Sequence, residues 1–398
     1  MATVLYLAHR IPFPPNKGDK VRTHHLLRAM ASRHDVLLGT FADDPRDLAC
    51  ETELGRWCRK WRVVPVNKVA ARFRALGAVA TRAPFTVAYH RDKRLHDWVR
   101  QQCESEPVEV VVVSSSGMAQ YAAGLGLPWI MDFIDMDSRK WARYAERHRG
   151  PLAWLYGQEA ARLLQHDLHA AQAAQCSYFV SQREVDDFLA AGPARGSPVE
   201  VLPNGVDAQH YRPDPSWPNP YPNEELALAF TGTMDYLPNV DAVTWFSYEV
   251  LPTVRRVHPN ARLTVVGRRP PAVVRALQSL GVRVTGEVAD VRPWLQHARI
   301  AVAPMRIAQG VQNKVLEAMA MARPVVTAPD CARAVGAQMG ENLMVASTAD
   351  DYIRELNLLL SRPESAQEIG LAGRDHVTAQ LDWTRGLSPL LKRLENLL

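Results

Sequence analysis

Short apolar runs recur along the first half of the chain, each followed by a polar or Gly/Pro break. They read TVLYLAH (3–9), DVLLGTF (35–41), VEVVVVSSS (108–116), PWIMDFI (128–134) and CSYFVS (176–181). At their strongest they do not alternate with polar residues. That predicts strands covered on both faces, as in a parallel sheet. Helical spacing appears between them, near 20–33, 92–105 and 138–172. Strand and helix in alternation predict a doubly wound α/β domain.

A stretch with six prolines between 203 and 222 then interrupts the pattern. Proline fixes φ and offers no N–H, so no regular element fits, and the stretch reads as an inter-domain linker. The alternation restarts with LALAFTGTM (226–234), ARLTVVG (261–267), VRVTGEV (282–288), ARIAVAPM (298–305) and RPVVTA (323–328). It ends on DWTRGLSPLLKRLENLL, which reads as an amphipathic helix. Two βαβ-type domains in series are expected, at 1–205 and 206–380. A closing helix at 381–398 is expected to pack back on the first.

Composition agrees with this division. A chain of 398 residues is too long for one hydrophobic core. With 47% hydrophobic and 22% charged residues it has the make-up of a soluble globular protein. No apolar run is long enough to predict a membrane span. The N-terminus lacks a basic lead-in and reads as a first strand, not a signal peptide. The five cysteines are scattered, with no Cys-x-x-Cys pair. That argues against a metal or disulfide framework and for a cytoplasmic location.

Charge changes the picture in one place. Residues 56–100 hold twelve Lys/Arg against two Asp, within a chain of net charge +5. The segment includes RWCRKWR and KVAARFRAL. It suits an anionic partner, nucleic acid or a membrane surface. It equally suits a solvated helical face with snorkelling arginines.

In open α/β sheets, ligands bind beyond the carboxyl ends of the strands. The strand-to-helix loops therefore hold the candidate chemistry. Lys17, Gly18 and Asp19 precede a helix after the first strand. They fit either an anion at a helix N-terminus or a simple N-cap at Asp19. Gly232 lies at the end of the run 226–234 and allows a phosphate to approach. Gly267 is followed by Arg268 and Arg269, which read either as a phosphate clamp or as exposed arginines. The stretch AQGVQNKVLEAMAMARPVV (308–326) is the richest. Lys314 sits in the first turn of a helix, where the dipole disfavours a cation. An anion there removes the conflict: the N–H groups near Gly310 to Asn313 and the Lys314 ammonium suit a pyrophosphate. Glu317, three residues on and on the same face, only accepts hydrogen bonds and suits vicinal hydroxyls such as those of a ribose. The plainer reading is a local Lys314–Glu317 ion pair, worth a few tenths of a kcal/mol.

Those residues carry a family resemblance. GVQNKVLEAMAMARPVV resembles the C-terminal signature of the family 4 retaining glycosyltransferases of GT-B fold, and VLPNGVDAQHYRP resembles their inter-domain segment. GTMDYLPNVDAVTWF, VVGRRP and VTGEVADVRPWL resemble their nucleotide-domain segments. Nearly the whole chain is covered, and the flavour is that of the bacterial sugar transferases found with exopolysaccharide and exosortase (PEP-CTERM) systems.

The resemblance implies two Rossmann-like domains facing across a cleft. It implies a nucleotide-sugar donor held mainly by the second domain, UDP favoured over GDP, and a lipid-linked or glycan acceptor held mainly by the first. It implies no metal ion and no cofactor, with basic side chains and helix termini stabilising the leaving pyrophosphate. Carried over, Glu317 binds the donor ribose. Gln309, Gly310, Val311, Gln312, Asn313 and Arg306, with Gly232, hold the sugar and diphosphate. The backbone near Gly286 to Val288 holds the base. Lys17, Gly18 and Asp19 sit over the phosphates or the acceptor. Lys314 and Arg268 carry the catalytic charge. The implied location is the cytoplasm, with 56–100 as a peripheral contact to the inner face of the membrane and no nucleic-acid partner.

Two positions depart from the family. Its usual Glu-x7-Glu pair begins here with Gln309, which positions a hydroxyl but adds no charge. Many relatives carry a His where this chain has Ile134, flanked by Asp132 and Asp135. Asp135 is the expected replacement. A retaining reaction without a nucleophile fits front-face displacement. The alternatives are another GT-B enzyme, such as a sugar-nucleotide epimerase, or a catalytically silent nucleotide-sugar binder.

Overall fold

The structure is a computed structural model that describes residues 1–15, 18–192, 196–307 and 311–398. The chain divides into two compact units. Unit 1 is Met1–Pro203 with Leu387–Leu398, and unit 2 is Asn204–Gly386.

Unit 1 is built on seven parallel strands: β1 (Thr3–Ala8), β2 (Asp35–Ala42), β3 (Lys60–Pro65), β4 (Val108–Ser114), β5 (Trp129–Ile134), β6 (Cys176–Phe179) and β7 (Val199–Val201). Their order is β3-β2-β1-β4-β5-β6-β7. The two central strands are buried at nearly every position, as the unbroken apolar runs require. Leu5, Leu7, Val111, Val113, Met131 and Phe133 form the core, and Phe133 stacks on Phe179 at 4.9 Å between ring centroids.

Unit 2 repeats the plan with β8 (Leu226–Thr231), β9 (Ala261–Val266), β10 (Arg283–Gly286), β11 (Ile300–Ala303), β12 (Val325–Thr327) and β13 (Met344–Val345). Their order is β10-β9-β8-β11-β12-β13, again all parallel. Both sheets have the doubly wound order in which the winding reverses beside the first strand: between β1 and β4, and between β8 and β11. Crevices open at the carboxyl ends of such switch points.

Three expectations are corrected. The helical stretch 138–172 is two helices, Asp137–Arg147 and Pro151–Ala173. Gly150 takes φ +70° between them and Pro151 opens the second, a glycine–proline break that helical periodicity does not register. The closing helix is likewise two short pieces, Trp383–Gly386 and Ser388–Glu395, with Pro389 in the first turn of the second. The proline-rich stretch is no slack linker. Val206 donates to the Leu381 carbonyl at 2.8 Å, buried Tyr221 donates its hydroxyl to the Trp294 carbonyl at 2.7 Å, and the Arg292 guanidinium lies 4.9 Å from the Trp217 ring. Prolines here fix an extended strap that side chains pin to unit 2.

Candidate functional site

The carboxyl ends of β8 and β9 meet through backbone alone. Gly232 follows β8 with φ +151°, and its N–H donates to the Val266 carbonyl at 3.0 Å. Gly267 follows β9. A Cβ on Gly267 would lie 1.7 Å from the Gly232 oxygen, so no other residue fits. A Cβ on Gly232 would meet the Asn239 amide nitrogen at 2.8 Å and the Lys314 side chain at 3.3 Å. Gly267 in turn donates to the Gly286 carbonyl at the end of β10, at 3.0 Å. Gly232, Gly267 and Gly286, all named from the sequence, thus form one floor. Val288 is half-buried two residues beyond it.

Above this floor stands the helix Asn313–Ala320. Val315, Leu316, Ala318, Met319 and Ala320 are buried in the core, which leaves Lys314 and Glu317 together on the remaining face. Gln312 precedes it with no side-chain cap, and Val311 packs against the core. The Lys314 ammonium donates to the Asn239 side-chain oxygen at 2.9 Å and approaches the Gln312 side-chain oxygen at 3.5 Å. It also lies 5.1 Å from the Phe230 ring centre. None of these partners carries a negative charge. Burial therefore dominates and pulls Lys314 down to about 8. Glu317 makes no ion pair with Lys314 within 4 Å; its carboxylate faces the Tyr211 hydroxyl. Burial pushes its carboxyl up, opposed by Lys314 and Tyr211.

Asn239 is the piece that sequence reading missed. It is buried at 3% exposure, and its amide donates to the Thr233 carbonyl at 2.8 Å while its oxygen receives Lys314. It thus ties the loop after β8 to the lysine. Tyr211 was missed for the same reason: both lie in quoted motifs, but spacing does not reveal a partner seventy or a hundred residues away. Arg374 supports the arrangement, donating to the Tyr211 carbonyl at 3.0 Å and to the Ala320 carbonyl at the helix end.

The two arginines after Gly267 part company. Arg268 is 9% exposed. Arg269 takes φ +56° and pairs with Asp235 at 3.0 Å on the surface. Arg306 is already engaged: it grips Asp241 with two hydrogen bonds, at 3.0 and 2.7 Å, and lies over Trp245. Gln309, Gly310 and Lys17 lie outside the described residues.

In unit 1, Gly18 and Asp19 open the helix Gly18–Ala31. Asp19 is far from a bare N-cap. It accepts from His9 at 3.1 Å and from Arg10, whose guanidinium also reaches Asp43 at 3.3 Å. Burial would raise the Asp19 carboxyl, but His9 and Arg10 hold it far below the carboxylate range. Asp132 is spent on Arg22: two hydrogen bonds of 2.8 Å join them, both side chains fully buried. Asp135 stands differently. It follows Ile134, whose φ of +73° is a strained value for a β-branched residue. Asp135 reaches solvent but is crowded by protein on its other sides. That desolvation, with the like charges of Glu184 and Asp137, raises its carboxyl to about 7. Asp135 and Asp137 have Asp-x-Asp spacing, a metal-binding pattern that the expectation of a metal-free site passes over. Asp137 accepts from Lys140 at 2.9 Å. Among the described residues, no group of three or more His, Cys, Asp or Glu gathers to hold a metal.

Family comparisons meet this geometry at both ends. Residues 18–205 match the glycosyl transferase 4-like domain, and residues 225–362 match the glycosyl transferases group 1 family. The chain is built from two glycosyl transferase domains. Solved structures with the same GT-B architecture include Anabaena Alr3699/HepE in complex with UDP, 15% identical with a TM-score of 0.69, each chain fully covered. The same HepE protein in complex with UDP-glucose is 16% identical with a TM-score of 0.66, again with full coverage. Sucrose-phosphate synthase from Thermosynechococcus elongatus is 14% identical with a TM-score of 0.68, covering 100% of this chain and 99% of its own. No curated protein matches the chain by sequence. In both glycosyl transferase domains the residues singled out stand at strand carboxyl ends: Asp135 after β5, Gly232 after β8, Arg268 after β9. No helix among the described residues is long and apolar enough to cross a membrane.

Proposed function

We propose that the chain is a retaining glycosyltransferase that moves a sugar from a nucleoside-diphosphate donor, UDP favoured over GDP, to a lipid-linked or polysaccharide acceptor in bacterial exopolysaccharide or cell-envelope synthesis. One observation carries the reading: the half-buried Lys314 stands over a floor of glycine backbone with only neutral hydrogen-bond partners, and the nearby Glu317 charge does not offset its desolvation. A cation so placed is costly to the free protein and becomes favourable when an anion arrives.

The roles follow from the chemistry of each group. The diphosphate meets the Lys314 ammonium and the N–H groups at the start of the helix Asn313–Ala320. Glu317, steadied by Tyr211, accepts from the ribose hydroxyls. Gln309 and Gly310 address the sugar. Arg268 adds positive charge beside the phosphates. In the transfer step the bond from the anomeric carbon to the phosphate oxygen breaks, and the acceptor oxygen bonds to the same face. The acceptor proton passes to the departing phosphate, whose charge Lys314 and Arg268 stabilise. Asp135, able to hold a proton near neutral pH, receives the acceptor or sugar hydroxyl in the first domain. In this reading no metal ion or cofactor is needed, and the protein works in the cytoplasm.

A thermal-shift series with UDP, GDP, ADP and TDP tests the donor site, because a ligand of the folded state raises its melting point with affinity and concentration. UDP should give the largest shift, and Lys314→Met should remove it. Product analysis with donor alone separates transfer from epimerisation: a new nucleotide-sugar formed without acceptor would sink the transferase reading. Unchanged turnover in Lys314→Met would show that the site is elsewhere.

A further inference from the structure

The two helices Asp137–Arg147 and Pro151–Ala173 form a hairpin whose tip is unlike the rest of unit 1. Residues 139–156 carry five Lys/Arg (Arg139, Lys140, Arg143, Arg147, Arg149) and one acid, Glu146. Three large apolar side chains stand in solvent beside them: Tyr144 is 39% exposed, Leu152 42% and Trp154 57%. Trp141, Tyr144 and Tyr156 pack ring to ring at 5.5–5.8 Å and make the tip stiff. The cations outnumber their carboxylates. Arg139 and Arg183 share Asp187. Arg143 is held below the usual arginine range by burial and by Arg139, Arg183 and Arg147 around it. Arg147, His148 and Arg149 are exposed at the turn.

We propose that this hairpin tip docks the protein on an anionic phospholipid surface. Aromatic and leucine side chains beside arginine are the chemistry of an interfacial contact: the rings enter the headgroup layer and the guanidinium groups meet lipid phosphates. A solvated face would carry the cations without the exposed Trp and Leu. The basic segment 56–100 is the rival surface, and part of its charge is answered within the fold. Arg59 and Lys60 share Glu106, Lys93 faces Asp97 at 2.6 Å, and Arg94 faces Asp92 at 2.8 Å.

Sedimentation with vesicles of phosphatidylcholine, with and without phosphatidylglycerol, tests this without donor or acceptor, so it can fail while the transferase reading stands. The full chain should bind the anionic vesicles and not the neutral ones, and lose binding as salt rises. Arg147→Glu with Arg149→Glu should weaken binding at least about tenfold, since each cation near such a surface contributes roughly fivefold. Leu152→Ser with Trp154→Ser should weaken binding at low and high salt alike. All four positions are exposed, so an unchanged melting point accompanies each variant. No binding to anionic vesicles overturns the proposal. So does binding that survives both hairpin variants but falls when Arg56 and Arg62 are changed to Glu.

Discussion

The carboxyl ends of the two sheets handle charge in opposite ways. In unit 1, cations meet carboxylates: Arg22 grips Asp132 with both side chains buried, Lys20 lies 3.0 Å from Asp47, and Arg10 spans Asp19 and Asp43. In unit 2, Lys314 meets an amide oxygen and an aromatic ring, and Glu317 meets a phenol. A buried ion whose partner is already present belongs to the fold. One left with neutral partners is costly until a ligand supplies the opposite charge. The contrast supports the proposal of ligand chemistry in unit 2; in unit 1, Asp135 sits beside two further acids, Glu184 and Asp137.

The largest expected effect tests the unit 1 side. Arg22→Ala strands a buried Asp132 and should cost about 3–5 kcal/mol in the unfolding of unit 1, read by denaturant titration. Replacing both partners with Arg22→Met and Asp132→Leu should recover most of that loss. If Arg22→Ala instead left stability unchanged and abolished transfer, the pair would be functional and the contrast would collapse.

The next effect tests unit 2 and has the opposite sign on stability. Lys314→Met should lower turnover about 100- to 1,000-fold, the usual loss when a group facing developing charge is removed. It should also stabilise the ligand-free protein at pH 7. The folded value near 8 lies below the ordinary 10.5, so between these the unfolded chain holds more protons. Stability then rises with pH from about 8 to 10.5, and the full cost of the charged lysine is present below 8. That cost is at most about 3 kcal/mol and less for a half-buried side chain. Melting points from pH 7 to 10.5 should climb in the parent protein and run flat in Lys314→Met.

Asn239 holds the lysine in place, so its loss should be intermediate. Asn239→Ala removes a hydrogen bond to a charged group, worth about 1.5–3 kcal/mol, and should reduce turnover accordingly. Asn239→Asp keeps the size and adds the missing carboxylate, while giving up the hydrogen bond to the Thr233 carbonyl. Lys314 should then titrate higher and bind a phosphate less well, moving the alkaline limb of the activity profile upward. A merely structural asparagine would show the loss without the shift.

These contrasts divide what the sequence revealed from what it concealed. The central strands were legible because a strand buried on both faces must be apolar throughout, as TVLYLA is. The edges were not. KWRVVP in β3 mixes two cations into an edge strand, where charge discourages pairing with other chains, and so it read as a basic surface segment. VEV and MV are too short for any period. Lys314 and Glu317 were legible because a cation in a first helical turn contradicts the dipole. Their separation into different partnerships was not, because Asn239 and Tyr211 reach them only through the fold. The partners of Arg306 and Asp132 were hidden for the same reason: nothing local says that Asp241 and Arg22 meet them.

The smallest effect is the sharpest test of which ligand atoms Glu317 sees. Glu317→Gln keeps an acceptor for Tyr211 and removes a desolvated charge. Burial raises this carboxyl above its ordinary value, so the folded protein holds the proton more tightly than the unfolded one. Stability is therefore lost as pH rises through the ordinary carboxylate range, and the substitution should remove that loss. Donor affinity should fall about tenfold or less, because a neutral amide accepts from a hydroxyl less strongly than a carboxylate does. If the two hydroxyls of a ribose are what Glu317 holds, the parent protein should prefer UDP over 2′-deoxy-UDP and the Gln variant should lose most of that preference. A preference that persists in Glu317→Gln places the ribose elsewhere, and leaves Glu317 as a counter-charge for Lys314 rather than a ligand for sugar.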